Sequence, residues 1–76
     1  MTEIIKGWFD IMSSEEDILT SEARDQHPNS ITDLELDDMV NEYKKIFNRE
    51  DIYISAYEVR DNDINDIKHC YEYGQN

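Results

Sequence analysis

The sequence contains few residues that crosslink a chain or interrupt its secondary structure: one cysteine, one proline and two glycines among 76 residues. A single cysteine, Cys70, cannot form an intramolecular disulfide, which excludes a disulfide-stabilised scaffold. The sequence also lacks an apolar run long enough for a signal peptide or a membrane span. We therefore expect a cytoplasmic protein.

Basic residues are scarce as well. Seven lysines and arginines stand against nineteen aspartates and glutamates, which gives a formal net charge of -12. A charge of this sign repels nucleic acids and anionic membrane surfaces, and it attracts basic proteins. We therefore expect no direct contact with nucleic acid and no membrane binding, and we expect the partner to be a basic protein.

A high net charge is also typical of disordered chains, so folding needs its own argument. One tryptophan, five tyrosines, two phenylalanines and many isoleucines predict a folded chain, as does the scarcity of glycine and proline. The length predicts one domain, residues 1–76, with a modest core and no deep enzyme pocket. The stability of so small a domain is marginal, and a homodimer or a bound partner can supply part of it.

The most regular apolar pattern lies between residues 32 and 47 and predicts an amphipathic α-helix. Thr32 is suited to cap its N-terminus, and Asn48 is suited to end it. Acidic residues in the first turn and lysines in the last turn complement the helix dipole. Side chains at three- and four-residue spacing form one apolar stripe: Leu36, Met39, Val40, Tyr43, Ile46 and Phe47.

Two further segments are interpreted as β-strands. Residues 51–59 are rich in β-branched and aromatic side chains, which favour strands. Residues 3–12 fit both the strand period and the helix period; because Gly7 would destabilise a helix, we prefer a strand and keep a helix as the alternative. We expect an α+β domain in which the two strands pair antiparallel near Trp8 and Tyr57 and the helix covers one face.

Two weaker patterns predict short helices. Ser13 and Glu16 have the spacing of a capping box, which predicts a short helix within residues 13–26, ended by the turn-forming segment around Pro28. A short helix or a turn is also predicted near the C-terminus, ending before Gly74. It is based on the near-helical spacing of Ile64, Ile67 and Tyr71.

No motif in the sequence indicates catalysis, since it lacks a glycine-rich phosphate loop, a Gly-x-Ser-x-Gly elbow and a His-Glu-x-x-His helix. His69 and Cys70 are adjacent and would point apart, so they do not form a nucleophile and base pair. Four oxygen ligands have the spacing of an EF-hand loop: Asp61, Asp63, Asn65 and Glu72. However, Asp66 and Lys68 occupy positions where that loop requires Gly and an apolar residue. We therefore expect a non-enzymatic protein with no metal and no cofactor.

The distribution of acidic residues is more informative than any motif. On the predicted helix, Glu35, Asp38 and Glu42 share one face opposite the apolar stripe. An acidic helix face often serves solubility alone, but here the excess extends along the chain and costs stability, which favours a functional surface. The predicted partner-binding residues are Glu15, Glu16, Asp17, Glu22, Asp25, Asp33, Glu35, Asp37, Asp38 and Glu42.

Three segments resemble the amino-terminal part of the ArdA-type antirestriction proteins, which are DNA mimics encoded by mobile elements. They are Gly7-Trp8-Phe9, the acidic helix from Asp33 to Phe47, and Ile54-Ser55-Ala56-Tyr57-Glu58. Ala56 replaces an Asp of that family's pattern, and the stretch from Ser13 to Ser30 stands as an insertion. The resemblance implies a phage or plasmid protein that acts in the cytoplasm of a bacterial host and occupies the DNA site of a defence enzyme.

The leading functional hypothesis is therefore a DNA-mimic inhibitor whose carboxylates stand in for phosphates and block a basic nucleic-acid site. An antitoxin or immunity-type protein that neutralises one basic toxin is the alternative, and an adaptor with an acidic surface is a third interpretation. For the DNA-mimic inhibitor, apolar or aromatic contacts would set specificity. The candidate anchors, each equally expected in the core, are Tyr53, Tyr57, Tyr71 and Tyr73.

Overall fold

Four β-strands and one α-helix follow one another along the chain in a computed structural model that describes residues 5–60, 63 and 65–74. A short 3-10 turn, Pro28–Ser30, precedes the helix. Within the described ranges, no helix has both the length and the apolar character needed to cross a membrane. The elements are β1 (Ile5–Ser13), β2 (Ile18–Arg24), α1 (Asp33–Phe47), β3 (Ile52–Arg60) and β4 (Ile67–Tyr73).

The strands form one antiparallel sheet in the order β2-β1-β3-β4. The two strands predicted from the sequence, β1 and β3, lie side by side at its centre, and Trp8 is directly opposite Tyr57. The predicted α+β domain with antiparallel strands is confirmed. The strand interpretation of β1 is also confirmed over its described part, and its helical alternative is wrong.

The hydrophobic core lies between α1 and one face of the sheet. From the sheet, Phe9, Ile11 and Ile54 are fully buried, because the alternation of side chains along β1 and β3 directs them toward the helix. From α1, the buried residues are Leu36, Met39 and Val40, as the apolar stripe predicts. The prediction that Ile46 belongs to the buried stripe is wrong, because its side chain lies on the flank of the helix and is 60% exposed.

Both ends of α1 are set by the residues that the sequence indicates. The Thr32 hydroxyl accepts a hydrogen bond from the backbone N–H of Glu35 at 3.2 Å and so satisfies one of the free donors of the first turn. Asn48 adopts the left-handed conformation, and its N–H donates to the carbonyls of Lys44 and Lys45. The left-handed conformation at Asn48 ends the helix, and Asn and Gly are the residues that adopt this conformation at the lowest cost.

The segment between β2 and α1 crosses the helix side of the sheet and packs closely on β1. A Cβ atom on Gly7 would lie 2.7 Å from the carbonyl oxygen of Gln26, so only glycine allows this approach. His27 contacts Glu58 of β3 through Nε2 and Oε2 at 2.9 Å, and the Tyr71 hydroxyl donates to the carbonyl of Pro28 at 2.7 Å. These contacts fasten the connection across β1, β3 and β4.

Two of the weaker predictions are wrong. Residues 13–26 contain the edge strand β2 and no helix, because Glu16 takes a left-handed conformation (φ 65°) in a tight turn that folds β2 back onto β1. Residues 67–73 form β4 and neither a helix nor a turn. A bulge at Cys70 inserts an extra residue into this strand, and Ile64 of the helical pattern lies outside the described residues.

The second face of the sheet has no described helix or 3-10 turn packed on it, since the contacts of both lie on the core side. Alternation along the paired strands identifies the side chains that line it. We call this surface the open face; its residues are Lys6, Trp8, Asp10, Met12, Ile18, Ser21, Ala23, Tyr53, Ser55, Tyr57, Val59, Ile67, His69 and Glu72.

Candidate functional site

A groove of about 450 Å³ runs between α1 and the edge strand β2. Four carboxylates line it, and the one basic residue among its lining residues is Arg24. We call it the acidic groove; it is lined by Glu22, Arg24, Glu35, Asp38, Met39, Glu42, Tyr43 and Ile46.

The helical period and the strand period together place the four carboxylates. Glu35, Asp38 and Glu42 are spaced at three and four residues and therefore project from one flank of α1. Glu22 is paired with Phe9 of β1, so its side chain points to the helix side of the sheet. The row predicted on the helix lies beside the apolar stripe, whose residues line the same groove, and not opposite it as predicted. It faces a fourth acid that comes from a different element.

Glu22 is held in place by two hydrogen bonds. The Tyr43 hydroxyl donates to Oε1 at 2.7 Å, and Arg24 Nε donates to Oε2 at 2.9 Å. Asp38 and Glu42, by contrast, are exposed and make no ion pair within the described chain. The groove therefore contains uncompensated negative charge that a basic partner can neutralise.

The floor of the groove is apolar. Met39 is buried, Tyr43 is half-buried and Ile46 is largely exposed. The aliphatic stems of lysine and arginine side chains pack well on such a surface while their charged ends reach carboxylates at the rim. The groove can therefore bind basic side chains through both their stems and their charges.

Burial and the hydrogen bond to Glu22 raise the pKa of Tyr43 to about 12. Because the folded protein keeps this proton while the unfolded chain releases it above pH 10, the free energy of unfolding should fall as the pH rises from about 10 to about 12. Tyr43→Phe should make that fall shallower by at most about 1.4 kcal/mol per pH unit, the value for one proton. Urea unfolding monitored across this pH range measures the slope, and equal slopes for the two proteins would contradict the assignment.

The other predicted partner-binding acids lie away from the groove. Glu15, Glu16 and Asp17 occupy the exposed β1–β2 turn at one end of the sheet. Asp25 follows β2 at the opposite end, where it pairs with Lys6 at 3.3 Å. The structure therefore separates the acids of the first strand pair into two groups at opposite ends of the sheet.

Asp33 and Asp37 lie on the flank of α1 that faces β4. The Tyr73 hydroxyl donates to Asp37 at 2.7 Å, and this bond together with burial raises the pKa of Tyr73 to about 12. Of the ten predicted residues, the structure brings four together in one groove: Glu22, Glu35, Asp38 and Glu42. The apolar residues of the floor were not predicted as site residues; their one sequence signal is a position at the edge of the apolar stripe.

The four candidate tyrosine anchors divide between the two faces of the sheet. Tyr71 and Tyr73 pack against the core cluster and use their hydroxyls within the chain. Tyr53 is 5% exposed, and burial, followed by the nearby carboxylates of Glu72 and Glu16, raises its pKa. Tyr57 is half-buried on the open face and is the one of the four that combines partial exposure with that face.

The remaining sequence candidates have structural contacts of their own. Asp61 of the EF-hand-like spacing lies outside the described residues, and Asp63 accepts a hydrogen bond from the backbone of Asn65. His69 packs edge-on against Tyr57 with ring centroids 5.2 Å apart, while burial raises the pKa of the Cys70 thiol. Over the described ranges, no group of three or more His, Cys, Asp or Glu side chains is arranged to hold a metal ion.

Comparisons with models of protein families, with curated proteins and with solved structures give no match to this chain. The resemblance to the antirestriction proteins therefore stays a prediction. Its two strand segments, residues 7–9 and 54–58, belong to the neighbouring strands β1 and β3, where Phe9 is opposite Ala56.

Proposed function

We propose that this chain is a non-enzymatic acidic binding protein that occupies the nucleic-acid site of a basic, DNA-binding protein, with its carboxylates in place of DNA phosphates. The observation that carries the proposal is the acidic groove, in which four carboxylates from α1 and β2 surround an apolar floor. A net charge of -12 would draw such a chain toward a positively charged cleft.

The spacing of the acidic row supports mimicry of a nucleic-acid strand. With a rise of 1.5 Å per helical residue, Glu35, Asp38 and Glu42 follow one another at about 4.5 and 6 Å along the axis of α1. Phosphates of one DNA strand advance by about 3.4 Å per nucleotide, which is the same order. Lysines and arginines arranged for phosphates can therefore meet this row in succession.

A second candidate function is neutralisation of one basic toxin through a compact patch. The apolar floor formed by Met39, Tyr43 and Ile46 favours it, because a DNA duplex offers no comparable surface beneath its phosphates. The two functions differ in one testable respect. A DNA mimic excludes DNA from its target, whereas an antitoxin need not.

The test uses the partner captured from a bacterial lysate and a labelled DNA duplex as competitor. Asp38→Lys with Glu42→Lys reverses two charges in the groove, and Glu50→Lys with Asp66→Lys is a matched control at exposed positions outside it. A desolvated charge pair lost at an interface costs roughly 2 to 5 kcal/mol, whereas an exposed charge at the rim costs little. The groove variant should therefore bind at least about 30-fold more weakly, and the control nearly normally.

Competition with the duplex for one site, together with a loss confined to the groove variant, would support mimicry. Simultaneous binding of the duplex and this protein to the partner would reject mimicry and favour the toxin-neutralising function. Equal losses from both double variants would reject the acidic groove as the binding site for either function. Circular dichroism of each variant checks that the fold is retained.

A further inference from the structure

The open face carries large apolar and aromatic side chains in positions that solvent reaches. Ile18 is 60% exposed and Ile67 is 40% exposed, at the two edges of the face. Trp8, Met12 and Tyr57 lie between them and are half-buried. Sheets with one bare apolar face commonly bury it against another layer, and exposed apolar patches of this kind mark interaction sites.

Several polar groups near the centre of the open face are already satisfied within the chain. Trp8 Nε1 donates to Asp10 Oδ1 at 2.9 Å, and the Ser21 hydroxyl donates to the same oxygen at 2.7 Å. The Ser55 hydroxyl donates to the Tyr57 hydroxyl oxygen at 3.3 Å. Because these groups keep their hydrogen bonds when water leaves, covering the centre of the face does not leave them unpaired.

The distribution of charge on the protein determines which partner can cover the open face. The helix side bears the acidic groove and the acids of the opposite flank of α1, whereas the open face has Lys6, which is paired with Asp25, near one end and a single row with Glu72 and the hydrogen-bonded Asp10 toward the other. Two copies of a chain with a net charge of -12 repel one another, so they can approach only through their least charged surface. That surface is the open face.

We propose that two copies of this chain pair through their open faces, sheet against sheet, with the strands of one copy running antiparallel to those of the other. A two-fold axis in the plane of the interface makes each face meet itself, as in most homodimers. The antiparallel orientation places the Lys6 end of one face over the Glu72 end of the other, whereas a parallel orientation would stack like ends. The two acidic grooves then point away from each other on the outer sides of the dimer.

The size of the face agrees with a specific but weak dimer. Four strands spaced about 4.8 Å apart, with seven residues at about 3.3 Å each, give a face of about 19 by 23 Å. Two such faces remove roughly 900 Å² of projected area from water, and protruding side chains add to it; weak, transient interfaces bury less than about 1,200 Å² in total. We therefore expect dissociation in the micromolar range.

Sedimentation equilibrium of the whole chain, from about 1 μM to about 1 mM, measures the dimer directly. The wild type should shift from monomer to dimer over this range. Ile67→Glu and Ile18→Glu each place two additional carboxylates in the dimer interface and should raise the dissociation constant at least about 30-fold. Leu34→Glu is the matched control, because Leu34 is 72% exposed on α1, away from the open face, and it should dimerise like the wild type.

Trp8 provides an independent readout, because it is the single tryptophan and lies on the open face. Its fluorescence should shift to shorter wavelength and become protected from acrylamide as the concentration rises, in the wild type and in Leu34→Glu only. Higher salt should strengthen the dimer, since it screens the repulsion between copies. These measurements do not involve a DNA-binding target. A negative result would therefore not bear on the function proposed for the acidic groove.

Three results would overturn this proposal. A monomer at every concentration and salt level would show that the face does not pair with itself. A dimer that Ile67→Glu and Ile18→Glu leave as strong as the Leu34→Glu control would place the interface elsewhere. A wild-type monomer whose capture of another protein is lost in Ile67→Glu would assign the open face to a different protein.

Discussion

Replacing Phe9 with alanine is expected to remove a large share of the protein's free energy of unfolding. Phe9 is fully buried at the centre of the sheet, and the core cluster that surrounds it comes from β1, β3 and α1. Truncation of a buried phenylalanine costs about 3 to 5 kcal/mol, through lost burial and the cavity left behind. A domain of this length has a total stability of roughly 4 to 11 kcal/mol, so that much of it would be lost.

Phe47→Ala is the matched control. Phe47 lies at the end of α1, is partly exposed and stacks on Tyr43 with ring centroids 6.2 Å apart. Its truncation should cost less, about 1 to 2 kcal/mol, since the side chain is only partly buried at the margin of the core cluster and leaves no enclosed cavity. Urea unfolding monitored by circular dichroism measures both losses. Similar losses for the two variants would show that the core is not centred on β1.

Sodium chloride is expected to change the stability of the fold and the affinity for a basic partner in opposite directions. Between about 0.1 M and about 1 M salt, the screening length falls from about 10 Å to about 3 Å. Three like-charge pairs on α1 are then relieved, at about 0.2 to 0.5 kcal/mol each, so the free energy of unfolding should rise by about 1 kcal/mol. These pairs are Asp33 with Asp37, Glu35 with Asp38, and Asp38 with Glu42.

Over the same range, affinity for the captured partner should fall by about 10- to 1,000-fold, because electrostatic attraction accelerates association. Asp38→Asn separates the two trends: it removes two of the three repulsive pairs, so it should be more stable at low salt and respond less to added salt. It should also bind the partner less tightly. Affinity that does not depend on salt would remove the electrostatic basis of the proposed function.

The elements that the sequence predicts correctly depend on local signals. Thr32 and Asn48 mark the ends of α1 through contacts within four residues of themselves, so the helix is readable without its surroundings. The pairing of Trp8 with Tyr57 is long-range, but it follows once both segments are strands with one buried face.

The elements that the sequence does not predict depend on contacts between residues that are far apart in the sequence. The capping-box spacing at Ser13 and Glu16 is real, yet pairing of β2 with β1 overrides it. A spacing of four, as between Ile67 and Tyr71, fits a strand as well as a helix, and a bulge has no sequence signature here. Gly7 is needed because Gln26 lies against it, which no local pattern indicates.

The same distinction applies to the acidic groove. The row of Glu35, Asp38 and Glu42 follows from the helical period and was predicted. Glu22 joins it only because β2 is an edge strand whose side chains alternate toward α1, and that could not be known while the segment was interpreted as a helix. The sequence therefore predicts one side of the groove, and tertiary structure supplies the other.

The strand order β2-β1-β3-β4 also has a consequence for how the chain folds as it is synthesised. The β1–β2 hairpin is complete at Arg24, but β1 needs β3, which ends at Arg60, 36 residues later. At roughly 5 to 20 residues per second, the ribosome takes about 2 to 7 seconds to add them. During that interval the inner edge of β1 is unpaired, with Phe9 and Ile11 exposed. The acidic turn at Glu15 to Asp17 lies at one end of this hairpin, where its charges oppose pairing of the open edge with a second chain at close approach.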